Sequence, residues 1–135
     1  MCASKMVSAG STELVEVADR HAEAISLAHE RGVRIALGTD IGGSGAKTPA
    51  RWGQNGAELG YLVKAGLSAL EAIEAATATA PATLGPQAPR SGRLEAGYDA
   101  DLIALTDDPS LDVGLLADPG NITHVWRAGE LVKSP

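Results

Sequence analysis

Val33-Arg34-Ile35-Ala36-Leu37-Gly38-Thr39-Asp40 is the stretch on which the reading of this chain turns. Val33, Ile35, Ala36 and Leu37 make a nearly continuous apolar run, the composition of a short strand covered on both faces. Gly38 lets the backbone turn at its end. Thr39 and Asp40 then present a hydroxyl and a hard, anionic oxygen. An amphipathic helical pattern precedes the run, and a glycine-rich loop and two more helical patterns follow it. Helix, strand, helix is the repeating unit of an α/β fold. In barrels built from it, a carboxylate at the C-terminal end of a strand is a usual place for chemistry. Asp is also a common loop and capping residue, so the run alone leaves Asp40 with two readings.

On the N-terminal side, Leu14, Ala18, His21, Ile25 and Ala28 recur at helical spacing, and Glu13, Glu16, Glu23 and Glu30 lie largely off that stripe. The pattern predicts a helix over about 14–31, with Ser11 or Thr12 as its cap and Gly32 as its stop. Residues 1–10 show no period and read as an arm. His21 and His29 stand eight residues apart, whereas metal-binding pairs on one helix sit four apart. A packing role suits them better.

On the C-terminal side, Ile41-Gly42-Gly43-Ser44-Gly45-Ala46-Lys47-Thr48 invites a nucleotide-binding reading and fails it. The two glycine positions of a phosphate loop hold Ala46 and Ile41, and the third glycine of a dinucleotide motif would fall on Thr48. An active-site or connecting loop fits better. Asn55 to Glu58 and Ser68 to Glu71 both have capping-box spacing and predict helices over about 56–65 and from 69 onward. Pro81 opens one more short turn, ended by Gly85. Beyond Pro86 the pattern becomes β. Strands are predicted over 101–105, 122–127 and 130–133, the last two joined through Ala128-Gly129 as a hairpin.

The chain has 135 residues, of which 44 % are hydrophobic and 21 % charged, the composition of a soluble globular domain. Phe is absent and aromatics are 3 %, so the core must be packed from Ala, Leu, Val and Ile. A net charge of −6 argues against nucleic acid or an anionic membrane as partner. One cysteine, Cys2, excludes an internal disulfide and a cysteine-based zinc site. No stretch has the length of a membrane span and no signal-peptide core is visible, so the expected location is cytoplasmic.

Several motifs together resemble a known family. They are Gly38-Thr39-Asp40, Gly53-Gln54-Asn55 with Glu58-Leu59, Ala65-Gly66-Leu67-Ser68 with Glu71-Ala72, and Ala76-Thr77. Gly92-Arg93-Leu94, Gly97, Ala100-Asp101-Leu102 and Val125 with Gly129 and Val132 follow in the same order. From about Ala18 to Val132 the chain resembles the C-terminal end of an amidohydrolase-superfamily metal-dependent hydrolase, nearest to its imidazolonepropionase-like and prolidase-like members. The resemblance implies an α/β fold. Residues 1–90 would form the last helix–strand–helix part of a TIM-type (β/α)8 barrel, and residues 91–135 the C-terminal strands of a small β-sandwich.

It also implies a function: hydrolysis of amide, peptide or cyclic C–N bonds of a small-molecule substrate by metal-activated water. Asp40 takes the place of the Asp after the last barrel strand, both metal ligand and general base. The cofactor implied is a divalent metal, zinc, held only in a completed barrel. The family's His-x-His pair, carboxylated lysine and mid-barrel histidines have no counterpart in this sequence. A full barrel takes about 250 residues. The chain is therefore expected to be a C-terminal fragment, inactive alone, whose partner is the missing N-terminal barrel portion or a second copy of itself. The alternative is a non-catalytic assembly module that binds a partner chain through exposed strand edges.

Overall fold

A computed structural model describes residues 12–39 and 53–135. Helix α1 spans Thr12–Glu30. On its predicted stripe Ala18, His21, Ile25 and Ala28 are half-buried, and Glu16, Glu23 and Glu30 are exposed. Gly32, at φ +69°, ends it. The Gly32 N–H donates to the His29 carbonyl at 2.9 Å and the Val33 N–H to the Ala28 carbonyl at 3.0 Å, the paired bonds of a Schellman stop. The N-terminal arm, the Ser11 cap, the side chain of Thr12, Asp40 and the loop 41–48 lie outside the described residues.

The predicted strand over 33–37 does not form. These residues belong to neither helix nor strand and pair with no strand among the described residues. Val33 is 56 % exposed, while Ile35, Ala36 and Leu37 are half-buried. The reason is the neighbour, since a strand exists only as part of a ladder. Here the Leu37 N–H donates at 2.9 Å to the carbonyl of Ala75, at the end of a helix. Ile35 and Leu37 still pack on the hydrophobic core.

That core sits between helices α2 (Ala57–Lys64) and α3 (Ala69–Ala76). It consists of Leu59 and Leu62 from α2, Leu67 from the connection, Ala72 and Ala75 from α3, and Val113 from a later turn. Ser68 caps α3 with the predicted box. Its Oγ accepts from the Glu71 N–H at 3.3 Å, and its own N–H donates to Glu71 Oε2 at 2.8 Å. The matching box at Asn55 is absent. The cap of α2 is Gly56, with no side-chain bond. Asn55 Nδ2 donates instead to Thr39 Oγ1 at 3.3 Å, so its amide is committed to a distant residue.

A 3₁₀ turn over Pro81–Gln87, broken at Gly85 (φ +61°), leads out of the helices. The rest of the chain is built on an antiparallel sheet in the order β1 (Leu102–Leu105), β2 (Ile122–Arg127), β3 (Glu130–Lys133). The hairpin turn carries positive φ at Ala128 (49°) and Gly129 (82°), a type I′ geometry whose twist matches the strands. Asp101 Oδ1 accepts from the Ala128 N–H at 2.8 Å and anchors that turn. Between β1 and β2 come two 3₁₀ turns, Val113–Ala117 and Pro119–Asn121. Asp112 and Asp118 cap them by accepting from the Gly114 and Gly120 N–H groups at 2.7 and 2.8 Å. The first turn lies on α2 and inserts Val113 into the helical core. Helices and sheet together make an α/β chain.

Gly56 is required where this turn crosses α2, because a Cβ there would run into the backbone carbonyl of Leu116. Gly60, one turn on in α2, faces open space. In urea unfolding of the chain, Gly56→Ala should destabilise by about 1–3 kcal/mol through overpacking. Gly60→Ala should stabilise by about 0.5–1 kcal/mol through helix propensity. Equal effects of the two would show that the turn does not rest on Gly56.

His29, near the end of α1, and Glu71, in the first turn of α3, tie the two helices together with Nε2 and Oε1 3.0 Å apart. The His29 hydrogen bond, then those from Ser68, hold the Glu71 carboxyl down from 4.5 to about 2. A carboxylate depressed in the folded state stabilises above its unfolded pKa and loses that contribution as pH falls through the folded one. The stability difference between wild type and Glu71→Gln, which keeps the box but not the charge, should therefore be full above about pH 4.5 and fade towards about pH 2. Parallel melts across that range read it, and a pH-independent difference would remove the ion pair from the account.

Candidate functional site

The described residue that leads to Asp40 is Thr39, half-buried at the end of the 33–39 segment. Its hydroxyl accepts from Asn55, so the end of that segment and the approach to α2 are held at one place. The segment, α1 and α2 enclose a cleft of about 450 Å³. Its walls are largely apolar: Ala18 and Ile25 from α1, Leu37 from the segment, and Leu62 from α2. His21, Asp19 and Glu58 add polar groups to the lining. Glu58 is 7 % exposed, and its Oε1 is sealed from solvent without a hydrogen-bond partner. Lys64 also reaches the lining, with Nζ 5.4 Å from the centre of the Tyr61 ring.

The three histidines go to three different places. His21 faces this cleft, His29 binds Glu71, and His124 on β2 stacks on Trp126 with ring centres 5.4 Å apart. Among the described residues no group of three or more His, Cys, Asp or Glu could hold a metal ion. His21 and His29 are each half-buried. No helix among the described residues is long and apolar enough to cross a membrane.

Glu58 was hidden in the sequence because its spacing matched a capping box. The signal was there in another register. Glu58, Leu62 and Ala65 recur at intervals of four and three, the buried face of α2, and all three are buried.

Comparison with known proteins agrees with this architecture. Residues 4–132 match the model of the amidohydrolase family. Over 124 residues the chain is 44 % identical to ochratoxinase of Aspergillus niger, which covers 91 % of this chain and 24 % of that enzyme. The crystal structure of A. niger ochratoxinase superposes with a TM-score of 0.79 at 41 % identity, over 96 % of this chain and 29 % of that one. A Xaa-Pro dipeptidase with methionine bound in its active site gives a TM-score of 0.68 at 32 % identity, over 84 % and 25 %. A prolidase complexed with N-methylphosphonate-L-proline gives 0.74 at 27 %, over 90 % and 28 %. The chain thus spans about a quarter of the length of these relatives. Because residues 4–132 of its 135 match the family model, this chain belongs to the amidohydrolase family.

Proposed function

We propose that this chain is the C-terminal part of a metal-dependent amidohydrolase that cleaves amide, peptide or cyclic C–N bonds of small molecules, and that it works only when the rest of such an enzyme completes it. The observation that carries this reading is the match to ochratoxinase. It runs at 41 % identity over 96 % of this chain but takes in only 29 % of that enzyme. In this reading α1, residues 33–37 and α2 are the last helix–strand–helix unit of a (β/α)8 barrel, within residues 1–90. Residues 91–135 belong to the β-sandwich. The apolar segment 33–37 would be the strand of the helix–strand–helix unit; its Ile35 and Leu37 already pack on the helical core.

Asp40 is the catalytic residue of the proposal. As general base it takes a proton from the attacking water, and as general acid it returns one to the leaving nitrogen when the C–N bond breaks. Its second proposed role is as one ligand to zinc. Zinc sites take about three or four protein ligands, and the described residues form no such set, so in this reading the further ligands would come from the rest of the enzyme. The alternative of a purely structural assembly module shares the docking step and differs only in turnover.

A chimera in which this chain replaces the matching C-terminal part of ochratoxinase tests the proposal. It should bind metal and turn over substrate, assayed on that enzyme's own substrate and on Xaa-Pro dipeptides. Asp40→Asn in it should lower turnover by about 10²–10⁴-fold, the range of a general base, without preventing folding. The 135-residue chain by itself should show neither stoichiometric metal nor hydrolysis. Full activity of the Asn variant, or tight metal in the lone chain, would put the site elsewhere.

A further inference from the structure

We propose that Asn55-Gly56 is a self-modification site, at which the Gly56 nitrogen closes on the Asn55 side-chain amide, ammonia leaves, and Thr39 is released from the start of α2. The first observation is the state of the two residues. Asn55 is exposed, and among the described residues no acceptor takes the Gly56 N–H. A backbone nitrogen bound into a ladder or a helix must give up that bond before it can react, and here none has to be broken. Gly56 has no side chain to shield its nitrogen. It also stands at the N-terminal end of α2, where the helix dipole favours the negative charge left when that nitrogen loses its proton. The second observation is a contrast within the chain. Its other asparagine, Asn121, is half-buried, and its Nδ2 donates to the Leu115 carbonyl at 3.0 Å. The N–H that follows it, on the branched Ile122, is committed to the Pro119 carbonyl.

The step balances with water alone. The Gly56 nitrogen gives its proton to hydroxide and bonds to Asn55 Cγ. The Cγ–Nδ2 bond breaks, and Nδ2 takes a proton from water and leaves as ammonia. Water then opens the cyclic imide at either carbonyl. Opening at Cγ leaves aspartate. Opening at the main-chain carbonyl leaves isoaspartate, whose backbone runs through Cβ and Cγ. The nitrogen expelled is the one that donates to Thr39 Oγ1 at 3.3 Å, so both products lack the donor that ties the 33–39 segment to the start of α2. Isoaspartate also lengthens the backbone just before Gly56, at the crossing where even a Cβ would run into the carbonyl of Leu116. The bearing of this release on turnover rests on the proposed function, because Thr39 leads to Asp40; the covalent step does not.

The full chain, kept folded in mildly alkaline buffer, is sampled over time by peptide mass spectrometry and amide NMR, beside a second sample held in urea. In the folded chain Asn55 should be lost to aspartate and isoaspartate while Asn121 stays intact. The Thr39 amide resonance should move in step with the loss of the Asn55 side-chain NH2 signals. Asn55→Gln, whose longer side chain needs a larger ring, should form no isoaspartate. Should that variant not fold, the wild-type time course decides alone, with Asn121 as its internal reference. An Asn55 that stays intact in the folded chain overturns the proposal, and conversion in urea alone would show that the fold protects it. Equal loss of Asn55 and Asn121, or conversion that leaves the Thr39 resonance unmoved, overturns it as well. Substrate hydrolysis is not read in this experiment, so a failed chimera and a failed time course point to different errors.

Discussion

Helix α2 and the turn Val113–Ala117 approach so closely that the backbone of Leu116 occupies the space of a side chain at Gly56. That contact joins the two halves of the molecule. It carries Val113 out of the β1–β2 connection and sets it among Leu59, Leu62, Leu67, Ala72 and Ala75. A second close approach, Gly92 against the carbonyl of Thr77, repeats the device where the chain leaves α3. The composition explains why. Without Phe and with few aromatics, the core cannot be filled by large rings that bridge distant backbones. Burying a Val or Leu is worth about 1.5–3 kcal/mol, and small side chains bury area only when backbones come near one another. Glycine at the crossing points makes that possible.

What this core leaves uncovered is as informative. Ile103, Leu131 and Val132 are each at least half exposed on the sheet, as is Val33 on the 33–37 segment. Scattered apolar residues are ordinary on a protein surface. These lie on extended backbone, where an edge or a face can accept another strand. The family match along nearly the whole chain, at about a quarter of the relatives' length, gives the same picture from another direction.

The elements legible in the sequence are those decided locally. Strands β2 and β3 and their hairpin follow from alternation around Ala128-Gly129, and the box at Ser68 follows from a hydroxyl and a carboxylate three residues apart. The stop at Gly32 is local as well. The misreadings came from residues whose partner is distant. Asn55 has the right type and spacing for a cap, yet Thr39, sixteen positions away, takes its amide. The apolar run at 33–37 states which faces want burial but not whether a neighbouring strand is present to provide it. Asp40 lies outside the described residues, and its proposed role rests on its motif and the resemblance built on it.

Glu58 and Glu71 show how the same local pattern can lead to opposite ends. Both acids stand in the first turn of a helix, where the macrodipole favours negative charge. Glu71 is exposed and fully engaged: His29 at 3.0 Å on one oxygen, the Ser68 N–H and hydroxyl at 2.8 and 2.7 Å on the other. Its charge serves the fold of this chain. Glu58 is buried, and one of its oxygens is bonded to nothing. An unsatisfied buried group costs roughly 1–3 kcal/mol, a sizeable share of the about 5–15 kcal/mol that holds a domain folded. Within this chain the residue is a net cost that a neutral apolar side chain of similar length would avoid. Among the described residues nothing offsets the carboxylate on the most buried face of α2, whereas Glu71, through three bonds, ties α1 to the start of α3.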